Sequence, residues 1–404
     1  MPNDLSRAMR LPFRFRRVSA ATLIGIPAKL EAACGRSFDE DGPCHSIALL
    51  QVIVGIRIGD GVRGFRETRR KCVLLPMTAV KNARNSHLDA LRGAGILLVV
   101  FGHLIEQPSS DSQILQSIYV GIYSFHMPLF VLLSGVFARD ALDGRDYRKI
   151  VWTLVLPLVV FQFVYIGMSR LTGWYEYSLF TPYWLLWFIA SMIFWRLLLP
   201  LFASPAGLGV AVLISVAAGY DDGIGYTLSV SRTLYFLPFF VFGHLYGAQL
   251  VVMARHHPLR FALMFCAAVG MVLAWWRLGL NPAALTGSRD YTSGAADSNY
   301  PALARLSLML LGAAAAVGFA AIVPRGSALL GWLGERSLAV YLLHGLVVMA
   351  FVASGAPSLI PPGLLLPVLA VLSLLVALAT APADGPMRRL FSLPRRAPRL
   401  MASA

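Results

Sequence analysis

The sequence predicts an all-α fold, a polytopic integral membrane bundle of about ten transmembrane helices. Composition is the first observation: 57% of the 404 residues are apolar and 14% are charged, whereas a soluble domain has roughly 45–50% apolar and about 25% charged residues. The second is the recurrence of long apolar runs rich in Leu, Val, Ala and Phe, without the alternation typical of an outer-membrane barrel. This composition excludes a disordered chain, and four cysteines are too few for a disulfide scaffold.

The individual helices are identified as apolar stretches close to the roughly 20 residues that cross a bilayer. The first stretch carries charged residues in its opening turn, and the fifth is short and rich in glycine. The predicted spans are 88–106, 115–137, 150–168, 181–201, 206–219, 233–252, 261–280, 302–322, 337–354 and 361–380.

Basic residues in the connecting loops predict how the chain is oriented. The net charge is +15, but the basic residues lie mostly between the spans and at the chain ends, so we expect no nucleic-acid partner. Loops after the even-numbered spans, with residues 139–149 the richest, hold more arginine and lysine than loops after the odd-numbered ones. The positive-inside rule therefore predicts a multi-pass protein of the inner (cytoplasmic) cell membrane with both termini in the cytoplasm.

The first 76 residues differ from the rest of the chain. They are rich in arginine, and their apolar stretches are too short to span a membrane. Two interpretations remain open: a targeting or regulatory arm, or a segment that is not translated because the chain starts at Met77. The predicted organisation is a poorly structured basic extension (1–76), a membrane domain (77–382) and a basic cytoplasmic tail (383–404).

Three ionisable side chains in the first span indicate a site, because such groups are costly inside a membrane. Arg92 lies near the start of the span, and His103 lies eleven residues later, roughly 16 Å along a helix. His103 and Glu106 are three residues apart and share a helix face, so the carboxylate can orient the imidazole as a general base. The alternative is a polar pair at the membrane surface, with Glu106 as the first loop residue.

Polar and aromatic residues in other spans extend the candidate site. In the second span, Pro128 interrupts helical hydrogen bonding next to His126, and Gly135 after Ser134 permits close approach of a ligand or helix. Positions other than Arg232 also have a structural alternative: a kinked packing helix, an interfacial aromatic belt, or a buried structural histidine. The candidate substrate-binding residues are His126, Ser134, Tyr183, Trp187, Arg232 and His344.

Five motifs in order resemble the acyltransferase-3 family of membrane O-acyltransferases. They look most like the branch related to the fucose 4-O-acetylase of nodulation-factor synthesis. The resemblance covers about residues 80–380. The motifs lie at residues 88–93 with 99–103, 123–130, 181–187, 231–240 and 337–344.

The resemblance implies an enzyme that moves an acyl group, usually acetyl, from cytoplasmic acyl-CoA to a hydroxyl of a sugar, cell-surface glycan or glycolipid. It maps the family's essential histidine onto His103 and its arginine onto Arg92. Acetyl-CoA is then a co-substrate, and its phosphates suit arginine, which binds phosphate in bidentate fashion. The basic residues expected to bind it are Arg92, Arg139, Arg145, Arg148 and Lys149. No metal is expected, because the histidines lie on separate spans without a carboxylate-rich motif.

Two other functions are compatible with parts of the pattern. Intramembrane histidine and arginine with proline-broken helices also suit a transporter or flippase of a sugar-containing substrate. The sequence lacks a convincing internal repeat, which argues against that function. A sensor or scaffold that kept the fold without the chemistry is the third hypothesis, and intact Arg92, His103 and His126 argue against it.

Overall fold

The computed structural model describes residues 86–108, 112–174, 179–292 and 300–392. The predicted N-terminal extension (1–76) lies outside the described residues, as do residues 393–404 of the predicted tail. All regular structure within the described ranges is helical, which confirms the predicted all-α class.

Fifteen α-helices form the described part of the chain, joined by short 3₁₀ and π turns. They are α1 (Ser86–Ile105), α2 (Gln113–Tyr123), α3 (His126–Val136), α4 (Gly144–Ile150), α5 (Leu156–Thr172), α6 (Trp187–Phe202), α7 (Pro205–Ala217), α8 (Val230–Phe242), α9 (Ala248–His256), α10 (Pro258–Arg277), α11 (Pro301–Phe319), α12 (Ala328–Glu335), α13 (Ser337–Ala353), α14 (Pro362–Thr380) and α15 (Asp384–Leu390).

These helices make up ten apolar segments that correspond one by one to the predicted spans. In the described ranges, eight segments have the length and apolar composition to cross a membrane. A ninth forms if α12 and α13, which bend by 80°, are counted together. The tenth, Pro205–Tyr220, is apolar but shorter, as its glycine-rich sequence predicted. The chain is thus a multi-pass membrane protein.

The second span is broken between α2 and α3, and Pro128 accounts for the break. Proline has no N–H to donate to the carbonyl four residues earlier, which here is that of Ser124, and its ring clashes with that carbonyl. As the third residue of α3, Pro128 needs no intrahelical partner. The Ile122 carbonyl accepts hydrogen bonds from the Phe125 N–H at 3.2 Å and from His126 Nδ1 at 2.8 Å. The break therefore fixes the orientation of the His126 ring.

Glycines let two helix pairs approach closely in the bundle. A Cβ atom added at Gly334 of α12 would overlap the Asp89 carbonyl of α1. One added at Gly135 of α3 would overlap the Phe240 carbonyl of α8. The close approach predicted at Gly135 is confirmed, and it is made by a helix.

Buried aromatic side chains form part of the core of the bundle. Trp195 of α6, Tyr165 of α5 and Phe236 of α8 are among the largest fully buried side chains. The Tyr165 hydroxyl donates to the Leu342 carbonyl of α13 at 3.0 Å. Because α1 runs from Ser86 to Ile105, the two ends of the bundle are called the Ser86 end and the Ile105 end.

Candidate active site

At the Ile105 end, a histidine, a glutamate and a tyrosine share hydrogen bonds. His103 Nδ1 lies 3.0 Å from Glu106 Oε2. The Tyr123 hydroxyl donates to the same carboxylate oxygen at 3.4 Å and lies 3.4 Å from His103 Nδ1. Because a carboxylate accepts hydrogen bonds, this contact places the imidazole proton on Nδ1 and leaves a lone pair on Nε2. The arrangement is that of a general base oriented by a third group.

Two aromatic rings hold the imidazole of His103 from other sides. Its centroid lies 4.6 Å from the Trp184 ring, at 66°, and 5.5 Å from the His344 ring, at 28°. Trp184 adopts a φ of 36°, which is costly for a bulky side chain and is typical of functional sites. The His103 side chain remains 15% exposed. The imidazole is therefore fixed in orientation and still partly accessible.

The tautomers of the neighbouring histidines are set by backbone carbonyls. His344 is fully buried, and its Nδ1 donates to the Val340 carbonyl at 3.0 Å. His126 Nδ1 donates to the Ile122 carbonyl, so both rings present Nε2 as an acceptor. Among the described residues, Nε2 of His344 is buried without a hydrogen-bond partner, which is rare for a polar atom. No group of three or more His, Cys, Asp and Glu in the described ranges has the arrangement of a metal site.

Arg232 adds a positive charge and aromatic surface at the same end. Its guanidinium lies 5.0 Å from the Trp187 ring centroid and 5.5 Å from that of Tyr226. Its Nε is buried without a hydrogen-bond partner in the described part of the chain. Glu106 lies within electrostatic range of this guanidinium. Ser229, which immediately precedes α8, has a left-handed φ of 58°, so strained backbone flanks this residue as well.

A cavity of about 170 Å³ lies beside the middle of α1, and His103 is not among the residues that line it. Arg92, Ile96 and Val99 line it, and their spacing of four and three residues continues with His103 on the same helix face. The Tyr341 ring also lines the cavity and lies 6.1 Å from the His344 ring. The remaining walls come from α3, α6 and the start of α13: Met127, Phe130, Leu133, Ser134, Phe188, Ser337 and Leu338.

Arg92 lies at the Ser86 end of this cavity. Its Nη1 atom is 3.5 Å from Asp89 Oδ1, and its guanidinium carbon is 4.0 Å from the centroid of the Phe137 ring. A hydrogen bond of that length is weak, so most of the five guanidinium donors are left for a ligand. The position and chemistry suit a phosphate-binding residue.

The other basic residues predicted to bind the donor lie in the exposed helix α4 and in the segment just before it. Arg139 pairs with Asp146 at 3.1 Å and is 65% exposed. The N–H groups of Asp146 and Arg145 donate to the Asp143 carboxyl and lower its pKa. The remaining exposed basic residues are Arg145, Arg148 and Lys149. These side chains do not line the Arg92 cavity, and their role stays a prediction.

Of the eight residues predicted as catalytic or substrate-binding, six gather at the Ile105 end and two do not. Tyr183 is buried in the aromatic core, where its ring stacks on Tyr165 at 5.6 Å and its N–H donates to Gln162 at 2.8 Å. Its neighbour Trp184 contacts His103 instead. Ser134 lines the cavity beside Arg92. The residues at the Ile105 end are His103, Glu106, His126, Trp187, Arg232 and His344.

Sequence reasoning missed four residues that the structure places at or near the site. Tyr123 is the first residue of the motif at 123–130. Its hydroxyl, a hydrogen-bonding group in an apolar run, was the feature that could have identified it as a site residue. Trp184 belongs to the aromatic segment at 181–187, from which Tyr183 and Trp187 were the residues predicted to bind substrate. Tyr341 precedes His344 by three residues, which is one helix face. Arg196 is a lone charge within the apolar run of α6.

Comparison with known proteins connects this geometry to a family. The model of the acyltransferase domain matches residues 85–381, which include every helix that contributes to the site. Nodulation protein NolL of Sinorhizobium fredii is 28% identical over 223 residues, which are 50% of this chain and 60% of that protein. Nodulation protein NolL of Mesorhizobium japonicum is 28% identical over 241 residues, 54% of this chain and 62% of that protein. The chain therefore covers less than two thirds of the length of either relative.

No solved structure matches the chain, so the family assignment rests on sequence. The matched residues, 85–381, make up well over half of the chain and coincide with the region that carries the five motifs. The chain belongs to the acyltransferase-3 family, as the motifs predicted.

Proposed function

We propose that this protein is a membrane O-acyltransferase that moves an acetyl group from acetyl-CoA to a hydroxyl of a sugar, glycan or glycolipid. One observation carries the proposal: a single face of α1 lines a cavity from Arg92 and continues to His103, which is held by Glu106. A cation for phosphate, a mostly apolar cavity and a general base thus follow one another along one helix. Family membership supports the same chemistry.

We expect the donor to enter this cavity from the Ser86 end. Eleven residues separate Arg92 from His103, about 16 Å at 1.5 Å per residue. The extended pantetheine arm of CoA has a comparable length, so a phosphate near Arg92 brings the thioester close to His103. The mostly apolar cavity walls suit the arm, and Arg92 suits the phosphates because its planar fork binds them in bidentate fashion.

The transfer follows from the geometry of the base. His103 Nε2 takes the proton of the acceptor hydroxyl as its oxygen attacks the thioester carbonyl. The tetrahedral intermediate collapses with cleavage of the carbon–sulfur bond, and the thiolate leaves with the proton returned from the imidazolium. Glu106 stabilises the imidazolium and fixes its orientation, as the third group of a triad does. Arg232, which is within electrostatic range of Glu106 and Tyr123, supplies a positive charge for the developing oxyanion.

The acceptor fits the aromatic surface of the Ile105 end. Trp184, Trp187 and Tyr226 present ring faces near the base, and such faces pack against the apolar side of a sugar ring. The unpartnered Nε2 of His344 and the Arg232 guanidinium supply the hydrogen-bonding groups that fix a hydroxyl. With the Ser86 end in the cytoplasm, as the loop charges predict, this acceptor surface faces outward from the inner membrane.

A transport function without chemistry is the competing hypothesis, and one assay separates the two. Purified protein in nanodiscs receives acetyl-CoA and a panel of monosaccharides and envelope lipid extract, and released CoA and acetylated products are measured. We expect acceptor-dependent CoA release with an equal amount of O-acetylated product. Release no greater than that of the His103→Gln variant, across the whole panel, would refute the proposed function.

A further inference from the structure

Arg196 is a charged residue that the proposed reaction has not yet used. It lies on α6 between Trp195 and Leu197, inside an apolar run, where a charge is costly unless it has a function or a partner. In the part of the chain that the structure describes, no hydrogen bond or ion pair satisfies it, and its Nε is buried without a partner. A half-buried guanidinium in this state lacks an anion.

The position of Arg196 along α6 matches that of Arg92 along α1. The ring of Trp184 contacts His103, which places the start of the α6 segment at the level of the base. Twelve residues lead from Trp184 to Arg196, about 18 Å of helix, and eleven lead from His103 to Arg92. The two arginines therefore lie at similar depth, and their guanidiniums are within electrostatic range of each other.

Both helices contribute to the wall of the cavity, which Arg92 lines and Arg196 does not. Phe188 of α6 lines it together with Ile96 and Val99 of α1, and Arg196 follows Phe188 by eight residues on α6, about two helical turns. Arg92 and Arg196 are within electrostatic range and repel each other, so their juxtaposition favours an anion that binds between them.

The nearby carboxylates are directed to other cations. Asp89 contacts Arg92 at 3.5 Å. Asp146, which lies within electrostatic range of Arg196, pairs with Arg139 at 3.1 Å. Arg92 and Arg139 thus form ion pairs with Asp89 and Asp146. Among these described side chains, Arg196 is the arginine without an ion pair.

We infer that Arg196 and Arg92 together bind the phosphate groups of the acyl-CoA donor, and that Arg196 makes the protein specific for a thioester that carries the nucleotide. This inference rests on the proposed function, because the ligand of the cavity is the donor. A diphosphate carries several oxygens at the spacing of two guanidinium forks. Pantetheine thioesters contain the same reactive group and no phosphate, so they would not engage Arg196.

Ligand binding tests the inference without an acceptor. The dissociation constants of CoA and of pantetheine are measured on the full chain in nanodiscs, for the wild type and for Arg196→Ala. We expect the affinity for CoA to fall about 10- to 100-fold, the usual effect of losing a charge-assisted phosphate contact. Pantetheine binding should stay within about twofold of the wild type. Arg260→Ala, which removes an exposed arginine at the start of α10, is the matched control and should change neither.

Further ligands and variants keep the test decisive. Dephospho-CoA and 4′-phosphopantetheine show which phosphate Arg196 contacts, because the ligand that lacks that phosphate loses its sensitivity to the substitution. Arg196→Lys keeps the charge and should recover part of the affinity; if Arg196→Ala does not fold, this variant decides. Unchanged CoA affinity, or an equal loss for CoA and pantetheine, would overturn the inference. If the wild type turns over acetyl-CoA and Arg196→Ala binds CoA normally, only the role of Arg196 is refuted. If the wild type itself does not turn over acetyl-CoA, the proposed function is refuted.

Discussion

Replacing Glu106 by glutamine tests how His103 is held. The substitution keeps the size of the side chain and removes the charge that accepts the hydrogen bond from Nδ1 at 3.0 Å. A hydrogen bond to a charged group contributes about 1.5–3 kcal/mol, which is about 10- to 150-fold in rate. The Glu106 side chain is 33% exposed, so water screens part of this interaction. We therefore expect kcat to fall by about tenfold, the lower end of the range.

The loss of kcat expected for Glu106→Gln lies between the losses expected for two other variants. Tyr123→Phe removes a neutral and long hydrogen bond, at 3.4 Å, so we expect only about a twofold loss of kcat. Removal of the base itself in His103→Gln should cost about 10²- to 10⁴-fold. Asp221→Asn, which removes an exposed carboxylate from the loop before α8, serves as the control.

The assay is acetyl-CoA turnover at saturating acceptor, with thermal stability measured on the same preparations. If Glu106 only orients His103, the losses follow the order His103→Gln, then Glu106→Gln, then Tyr123→Phe, with KM for acetyl-CoA little changed. A Glu106→Gln variant as inactive as His103→Gln, at normal stability, would refute this reasoning and identify the carboxylate as the base. A variant with wild-type kcat would remove Glu106 from the mechanism.

Three further predictions concern the donor, the orientation and the N-terminal region. Arg92→Ala should raise KM for acetyl-CoA about tenfold or more at normal membrane levels, and Arg92→Lys should recover only part, because a point charge lacks the guanidinium fork; unchanged kinetics would remove Arg92 from the donor site. A reporter that is active only outside the membrane should stay silent when fused after Ala404 and be active when inserted in the loop at 218–232; the reverse pattern would contradict the predicted orientation. A chain that starts at Met77 should insert and turn over acetyl-CoA like the full chain, and lost activity at normal membrane levels would show that residues 1–76 contribute.

The spans were predictable because each depends on a local property of the chain. About 20 apolar residues suffice to identify a membrane helix, and every predicted segment has a helical counterpart in the structure. The position of the breaks was harder to predict, because Pro128 acts on the carbonyl four residues earlier and the second span breaks at Ser124 and Phe125. The 80° bend between α12 and α13 has no proline and depends on packing against α1.

The sequence predicted the chemistry of the site but only some of the residues that form it. His103 and Glu106 share a helix face, so their contact follows from spacing alone. Trp184 reaches His103 through a backbone conformation, φ 36°, that spacing does not indicate, and Tyr183 beside it turns into the core. Arg92 and Arg196 are more than a hundred residues apart in the sequence, and only the fold brings them within electrostatic range of each other.

Acetyl transfer by the wild type and by His103→Gln, measured side by side in nanodiscs, tests most directly whether this protein is an acyltransferase that uses His103 as its base. The wild type should convert acetyl-CoA and an accepted sugar into CoA and an O-acetylated product in equal amounts. His103→Gln should insert normally, keep its affinity for CoA and lose about 10²- to 10⁴-fold in turnover. Turnover by His103→Gln above about a tenth of the wild-type rate would contradict the role of His103 as general base.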